Sequence, residues 1–321
     1  MMKRTFSAII AAAVALTSIG QTIVVHPKSG EAVTFNASEI DYVEFLPGES
    51  VEEPAGEVTI TELYCHKGDS QIYGKLYRPS AAEPDTPLPT VILAHSSSLT
   101  SDAMKAYATA LAADGYCAYA FDFCGACDES RSDGSTEEMT VFTEVDDLKA
   151  VITEMKGKAG VDATKMFALG SSQGGLVAAL TAEDAEMGLS GLILFYPAFN
   201  IPDMIAMMDK FGSFGSSLGS GYSENFCNAM RGYNVYANIG TFGRPVSIIH
   251  GSDDIIVKIS YSEKAVEKYP NAVLHTIEGA NHGFNADNLG SFGSIMGGST
   301  DYDSQVIPLV LEYMHANAPL K

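Results

Sequence analysis

Residues 170–174 read Gly-Ser-Ser-Gln-Gly, which fits the pattern G-x-S-x-G. They follow an apolar run at 166–169 and open a helix predicted over about 175–181. A sharp turn between a strand and a helix lifts one side chain clear of the sheet, and flanking glycines let the backbone make that turn. The pattern predicts Ser172 as a nucleophile and the backbone N–H of the next residue, Gln173, as a donor to a developing oxyanion.

A serine nucleophile needs a base that takes its proton. The segment 277–284 supplies His282 in a glycine-flanked loop that follows an apolar strand. Parallel sheets place their sites at the carboxyl ends of strands, so this histidine would reach the same sheet edge as the serine. His275 falls inside a strand, which favours a packing role, and His250 ends a strand, which favours hydrogen bonds to nearby backbone.

The base in turn needs an orienting carboxylate, and in this arrangement the chain order is serine, acid, histidine. The segment 249–257 follows another apolar strand and contains the adjacent Asp253 and Asp254. Spacing alone leaves both aspartates open. The predicted chemistry needs no metal and no other cofactor.

The elements that must position these residues are continuous apolar runs, each followed by a helix-like segment. The runs lie at 90–94, 116–121, 166–169, 192–195, 246–249 and 273–277. Continuous apolar strands are typical of a parallel sheet that is covered on both faces. The sequence therefore predicts an α/β fold with a doubly wound, mostly parallel sheet, preceded by a β-hairpin at 58–77.

The alternation breaks at about 199–241, where no strand-like run occurs. Long loops in compact domains are frequently functional, so this segment is predicted to be a cap inserted above the serine. Its apolar side chains suit an aromatic or medium acyl group, or they form the core of the cap itself. These side chains are Phe199, Met204, Met207, Met208, Phe211, Phe214, Leu218, Tyr222 and Phe226.

Residues 1–20 have the three-part pattern of a secretory signal peptide. A positive start precedes an apolar run at 6–16, and small residues lead to a predicted cleavage site between Gly20 and Gln21. The mature protein is therefore expected to be exported, either to a periplasm or to the medium. The apolar run is too short to span a bilayer.

Two further segments follow the predicted cleavage site. Short strand-like runs and a linker rich in Pro, Gly and Glu predict a small β appendage at 21–56. The main domain is predicted at 57–321, including the cap.

The composition limits the partners of the protein. Of its 321 residues, 46% are apolar, and 19 basic against 40 acidic residues give a net charge of −21. An acidic chain without a basic run argues against nucleic acid and anionic membrane surfaces, and no later stretch suits membrane insertion. Of the five cysteines, Cys124 and Cys127 have C-x-x-C spacing, and either a local disulfide or two thiols fits.

Together these segments resemble the α/β-hydrolase superfamily. Within it they are most similar to the cinnamoyl and feruloyl esterase-like serine hydrolases, which are related to the serine aminopeptidase group. The resemblance covers residues 57–321. In that family the acid stands three residues after the glycine of a His-Gly motif and three before a valine, which matches Asp254. The family base stands in a Gly-Ala-x-His-Gly-Phe motif, which matches His282.

The resemblance also implies the second oxyanion donor. The family has His-Gly-x after the strand that ends here at Ala94, and the donor is the residue after the glycine. This sequence reads His95-Ser96-Ser97, so the implied donor is the N–H of Ser97, with a serine in place of the expected glycine.

The implied activity is that of a serine hydrolase, with a carboxylic ester of an aryl acid or a short acyl group as substrate, either small or carbohydrate-linked. A peptidase, aminopeptidase or acyltransferase on the same three residues is an alternative. A binding module with a vestigial hydrolase fold is a non-enzymatic alternative, against which the complete and correctly ordered set Ser172, Asp254 and His282 argues. The oligomeric state stays open.

Overall fold

The computed structural model describes residues 56–211, 222–284 and 301–320, together with strands β1 (Thr22–Val25) and β2 (Val33–Asn36). Contacts divide the chain into two units, residues 1–54 and residues 55–321. In the first unit β1 and β2 pair in antiparallel fashion, within the segment predicted as a β appendage. The predicted signal peptide and its cleavage site lie outside the described residues.

The second unit is built on an eight-stranded sheet. Its strands are β3 (Val58–Lys67), β4 (Ser70–Pro79), β5 (Leu88–Ala94), β6 (Cys117–Phe121), β7 (Val161–Ser171), β8 (Gly191–Phe195), β9 (Val246–Gly251) and β10 (Ala272–Ile277). They lie in the order β10-β9-β8-β7-β5-β6-β4-β3. The β3–β4 hairpin and the β4–β6 pair are antiparallel, and all other pairs are parallel. The predicted fold class is confirmed.

Helices cover both faces of this sheet. They are α1 (Lys105–Ala113), α2 (Val141–Met155), α3 (Gln173–Ala182), α4 (Ile201–Phe211), α5 (Glu224–Met230), α6 (Ser260–Val266) and α7 (Asp303–Asn317). The core on one face contains α2 and α3, and the core on the other face contains α1 and α7. None of the helices in the described part of the chain is long and apolar enough to cross a membrane.

The central strand β7 shows why such a sequence is apolar at successive positions. Met166 and Ala168 belong to one core, whereas Phe167 and Leu169 belong to the other. Because successive strand residues point to opposite faces, a strand segment buried on both faces must be apolar throughout.

The order of the strands places the site. Strand β5 lies between β6 and β7, so the chain winds outward from β5 in both directions. Open α/β sheets bind their ligands in the crevice at such a switch point, beyond the carboxyl ends of the strands. Ala94 at the end of β5 is in register with Gly170 of β7, so the loops that follow these two strands begin side by side.

The insertion between β8 and β9 contains α4 and α5 and, over its described residues, no strand. Arg231 ties the two helices together, donating to Asp209 from Nε at 2.6 Å and from Nη2 at 2.9 Å. Phe199 and Phe226 are buried, whereas Met207 is 64% exposed. The predicted apolar residues of the cap therefore divide between the core that contains α2 and α3 and the surface. Residues 212–221 lie outside the described chain.

The five cysteines are free thiols. Burial raises the pKa of the Cys124 thiol to about 12, and burial also raises the pKa of Cys127. The structure therefore favours two thiols over a local disulfide at the C-x-x-C sequence.

Candidate active site

The turn from β7 into α3 carries the predicted nucleophile. Ser172 is the single residue between the strand and the helix, and its backbone has φ 51° and ψ −115°. Residues other than glycine rarely occupy this region, and such strain is typical of functional sites. Hydrogen bonds hold it: the Ser172 N–H donates to Phe195 O at 2.9 Å, and the Ser172 carbonyl accepts from Ala198 N at 2.8 Å.

The two glycines of the motif are required by close backbone contacts. A Cβ atom at Gly170 would collide with the carbonyl oxygen of Gly174. A Cβ atom at Gly174 would collide with the carbonyl oxygens of Ala94 and His95 at the end of β5. The G-x-S-x-G spacing thus allows the start of α3 to lie against the loop after β5.

A chain of two hydrogen bonds connects the three residues predicted for catalysis. His282 Nε2 lies 3.0 Å from Ser172 Oγ, and His282 Nδ1 lies 2.7 Å from Asp254 Oδ2. The Asp254 side chain is fully buried, and that of His282 is 12% exposed. In this geometry the imidazole accepts from the serine at Nε2 while the carboxylate accepts from Nδ1–H.

Asp254 is held ionised by its surroundings. Its Oδ1 accepts hydrogen bonds from the backbone N–H groups of Ile256 and Val257, each at 2.9 Å. Burial acts to raise the pKa of Asp254, but contacts with His250 and His282 outweigh burial and hold that pKa well below its usual range. The adjacent Asp253, which spacing alone could not separate from Asp254, is exposed and accepts a hydrogen bond from Ser252 Oγ instead.

The other two candidate histidines lie apart from the serine. The buried His250 has Nε2 2.7 Å from the carbonyl oxygen of Val257 and 3.2 Å from Asp254 Oδ2. Because a carbonyl only accepts, Nε2 carries the proton, and Nδ1 accepts from Ser262 Oγ at 2.7 Å. His275 lies within β10, and burial lowers its pKa. His250 thus bonds to nearby backbone, as its place at the end of a strand predicts, and it also contacts the Asp254 carboxylate.

The loop after β5 faces the start of α3. His95 is buried, accepts from Phe123 N at Nε2 (3.1 Å) and therefore donates from Nδ1 to Ser96 O (2.7 Å). Ser96 is not among the described non-glycine residues with positive φ, so its backbone needs no glycine. Its hydroxyl instead lies 2.9 Å from that of Ser171. The loop that contains Ser97 thus begins beside the turn that carries the nucleophile.

The side chain of Gln173 reveals a residue that sequence reasoning missed. Gln173 Nε2 donates to Oε2 of Glu144 at 2.7 Å. Glu144 is buried, and burial raises its pKa to about 8. It lies on the first turn of α2, on the same stripe as the buried Leu148 and Val151. In the sequence, an acidic residue at helical spacing from apolar residues was the signal that could have identified Glu144 as a buried carboxyl group.

Tyr196 is a second missed residue. It follows β8, is fully buried, and its ring centroid lies 4.6 Å from that of His282. No motif includes it, so the sequence offered no signal beyond its place at the end of a strand.

The cap reaches the same region through Tyr222. Burial raises the pKa of Tyr222 to about 12, against a hydrogen bond with the Ser97 side chain that lowers it. Its ring stacks on that of Phe226, with centroids 4.0 Å apart and planes inclined by 2°. An aromatic pair from the cap therefore lies beside the loop that follows β5.

The sheet order and the strained serine turn at the end of β7 define an α/β-hydrolase fold. The family model for serine aminopeptidase S33 matches residues 85–225, and the fold is that of the α/β hydrolases. No protein of the curated set matches the sequence significantly.

Several solved structures share the fold. Est1E from Butyrivibrio proteoclasticus, with ferulic acid bound, is 22% identical at a TM-score of 0.66, covering 79% of this chain and 98% of its own. An esterase from Pyrococcus furiosus is 21% identical at a TM-score of 0.59, covering 80% and 91%. A monoacylglycerol lipase from Paleococcus ferrophilus is 17% identical at a TM-score of 0.58, covering 77% and 99%.

Proposed function

We propose that this protein is a serine hydrolase that cleaves carboxylic esters through an acyl-enzyme intermediate. The observation that carries the proposal is the hydrogen-bonded chain from Ser172 Oγ through His282 to the buried carboxylate of Asp254. The strained backbone of Ser172 supports it, because strain of this kind persists where it serves a mechanism.

In the first half of the reaction, His282 Nε2 takes the Ser172 proton while Oγ forms a bond to the ester carbonyl carbon. The carbonyl oxygen becomes an oxyanion, and Asp254 stabilises the imidazolium without taking its proton. The tetrahedral intermediate collapses when the carbon–oxygen bond to the alcohol breaks. The proton on Nε2 passes to the leaving alcohol, which leaves the acyl group on Ser172.

In the second half, a water molecule takes the place of the alcohol. His282 removes a proton from the water as it attacks the acyl carbon and then returns a proton to Ser172 Oγ, releasing the acid. The backbone N–H of Gln173 is one oxyanion donor, because the first N–H groups of a helix have no partner inside it. The N–H of Ser97 is the second. The loss of one such donor typically lowers kcat about 10²- to 10³-fold.

The test of the nucleophile is covalent labelling. A fluorophosphonate probe should label the purified protein at Ser172, and Ser172→Ala should abolish both labelling and ester hydrolysis. Ser171→Ala is the matched control, since that hydroxyl is buried beside Ser96 and should leave labelling intact. Labelling that persists in Ser172→Ala, or that maps to the neighbouring serine, contradicts the assignment.

For the substrate we propose an ester of an aryl acid or a short acyl group. Support comes from Tyr222, a half-buried residue whose ring stacks on the buried Phe226, since an aromatic ring suits a planar acyl group. The structural neighbour Est1E binds ferulic acid, a planar aryl acid. Such esters should be hydrolysed faster than long-chain triglycerides.

An aminopeptidase acting through the same residues is the second candidate, which the match to the serine aminopeptidase model favours. The two are separated by comparing kcat/KM for a feruloyl ester, a short-chain acyl ester and an aminoacyl arylamide under identical conditions. Preference for either ester supports the proposal. Preference for the arylamide overturns the esterase assignment while leaving the role of Ser172 intact.

A further inference from the structure

Tyr196 combines features that packing alone does not require. Its φ is 34°, and only three non-glycine residues in the described chain have positive φ. The other two are Ser98, in the loop after β5, and the nucleophile Ser172. A bulky aromatic residue in this region is strained. It is also fully buried.

Hydrogen bonds on both sides fix the strained backbone. The Tyr196 N–H donates to Ile249 O at 2.9 Å, which ties it to β9. The residue before it accepts from Ser172 N at 2.9 Å, and Ala198, two residues later, donates to Ser172 O at 2.8 Å. The turn that strains Tyr196 is thus bonded directly to the turn that strains the nucleophile.

The ring of Tyr196 lies against the base. Its centroid is 4.6 Å from that of the His282 imidazole, with the planes inclined by 59°. It also packs edge-to-face on Phe284 at 4.8 Å, and Phe284 packs in turn on Phe195 at 5.5 Å. Because Phe284 is two residues beyond His282, the tyrosine contacts both the imidazole and the loop that carries it.

The hydroxyl of Tyr196 does not explain why a tyrosine occupies this strained position. It is buried beside the hydroxyls of Ser96 and Ser171 but forms no well-aligned hydrogen bond with any described residue. Burial raises the pKa of Tyr196 well above its usual range, so the hydroxyl does not supply a proton during turnover. The ring is therefore the functional part of the side chain.

We propose that Tyr196 is a positioning residue for His282, an inference that rests on the proposed function. Its ring is a fixed wall that holds the imidazole between Ser172 and Asp254. The ring also stabilises the imidazolium that forms when His282 takes the serine proton, since a cation within about 6 Å of an aromatic centroid is attracted to the ring. The stabilisation is absent before proton transfer, so it acts on the transition state.

The test compares variants with and without the ring. Tyr196→Leu should lower kcat about 10-fold or more for a short-chain ester, with KM changed by less than about twofold, because the lost interaction develops only with the charge. The rate of fluorophosphonate labelling at Ser172 should fall in proportion. Tyr196→Phe, which keeps the ring, should restore kcat to within about twofold of the unaltered protein.

Two further variants separate positioning from stability. Tyr196→Asn also lacks the ring but tolerates positive φ, so it should fold and show the same loss of kcat if Tyr196→Leu does not fold. Tyr107→Leu is the matched control. Tyr107 is equally buried, and its ring packs on Phe195 with the centroids 4.8 Å apart. Phe195, Phe284 and Tyr196 separate it from His282 in the series of ring contacts. Tyr107→Leu should lower Tm while leaving kcat unchanged.

The inference is overturned if the ringless variants keep kcat, if Tyr196→Phe loses as much kcat as Tyr196→Leu, or if Tyr107→Leu loses as much. Its failure is distinct from failure of the proposed function. If the unaltered protein is not labelled at Ser172, the proposed function fails. If it is labelled and Tyr196→Leu is labelled equally fast, only the role of Tyr196 fails.

Discussion

The substitution Asp254→Asn tests the proposed role of the carboxylate with almost no change of shape. Oδ1 of Asp254 accepts two backbone N–H bonds, from Ile256 and Val257, each at 2.9 Å. The amide oxygen of the asparagine should take that place, because its NH2 group would face two donors there. The NH2 group then points at His282 Nδ1, which lies 2.7 Å from the replaced oxygen.

This orientation reverses the tautomer of the base. His282 Nδ1 must accept from the amide, so the proton moves to Nε2, which faces Ser172 Oγ at 3.0 Å. A base in this tautomer cannot take the serine proton, and a comparable substitution in a serine protease lowers kcat about 10⁴-fold. At 1.36 kcal/mol for each factor of ten, this corresponds to about 5 kcal/mol of transition-state stabilisation.

Stability should fall in the same variant. The second hydrogen of the amide faces the Nε2–H of His250, whose nitrogen lies 3.2 Å from Asp254 Oδ2. Two buried donors then oppose each other, and a buried polar group left without a partner costs about 1–3 kcal/mol. The free energy of unfolding from urea titration should decrease by about that amount.

The assay is kcat/KM for a short-chain nitrophenyl ester, with active sites counted by fluorophosphonate titration. Asp253→Asn is the matched control, since that carboxylate is exposed and accepts from Ser252 Oγ at 3.0 Å. It should retain activity within about twofold. Equal losses in the two variants, or the reverse ranking, would refute the tautomer argument.

Three other predictions concern the surroundings of the serine. Gly174→Ala should lower the free energy of unfolding by several kcal/mol and abolish ester hydrolysis, because its Cβ would collide with two backbone oxygens. Gly243→Ala is the control, since a Cβ there has nothing within 4 Å. It should change neither the free energy of unfolding in urea titration nor the rate in the ester assay. Burial raises the pKa of Glu144 to about 8, so the stabilising contribution of the neutral acid is present below about pH 4.3, the ordinary glutamate value, and is lost as pH rises toward 8. The Tm of Glu144→Gln should therefore fall less than that of the unaltered protein between about pH 5 and 8, and parallel curves would contradict the assignment. Ser96→Gly should lower stability by about 1 kcal/mol by removing the hydroxyl contact with Ser171, and a gain in stability would show that the position prefers glycine.

Much of the architecture followed from local patterns in the sequence. The apolar runs predicted the parallel sheet because a strand buried on both faces has no polar position, as Met166 and Phe167 on opposite faces of β7 illustrate. The turn at 170–174 was readable for a similar reason. Backbone contacts exclude a Cβ at Gly170 and Gly174, so only glycine fits at these positions, and the requirement is visible in the sequence.

Long-range geometry is needed for what spacing leaves open. Asp253 and Asp254 have the same chemistry and adjacent positions, and which of them faces His282 depends on the path of two separate loops. Ser96 stands where a glycine was expected, and the hydroxyl of Ser171, far away in sequence, accommodates it. Glu144 and Tyr196 belong to no motif, because their roles arise from contacts with Gln173 and His282, which lie far from them in sequence. Local sequence patterns reflect the burial and backbone conformation of each segment, whereas contacts between distant residues form only when those segments pack together.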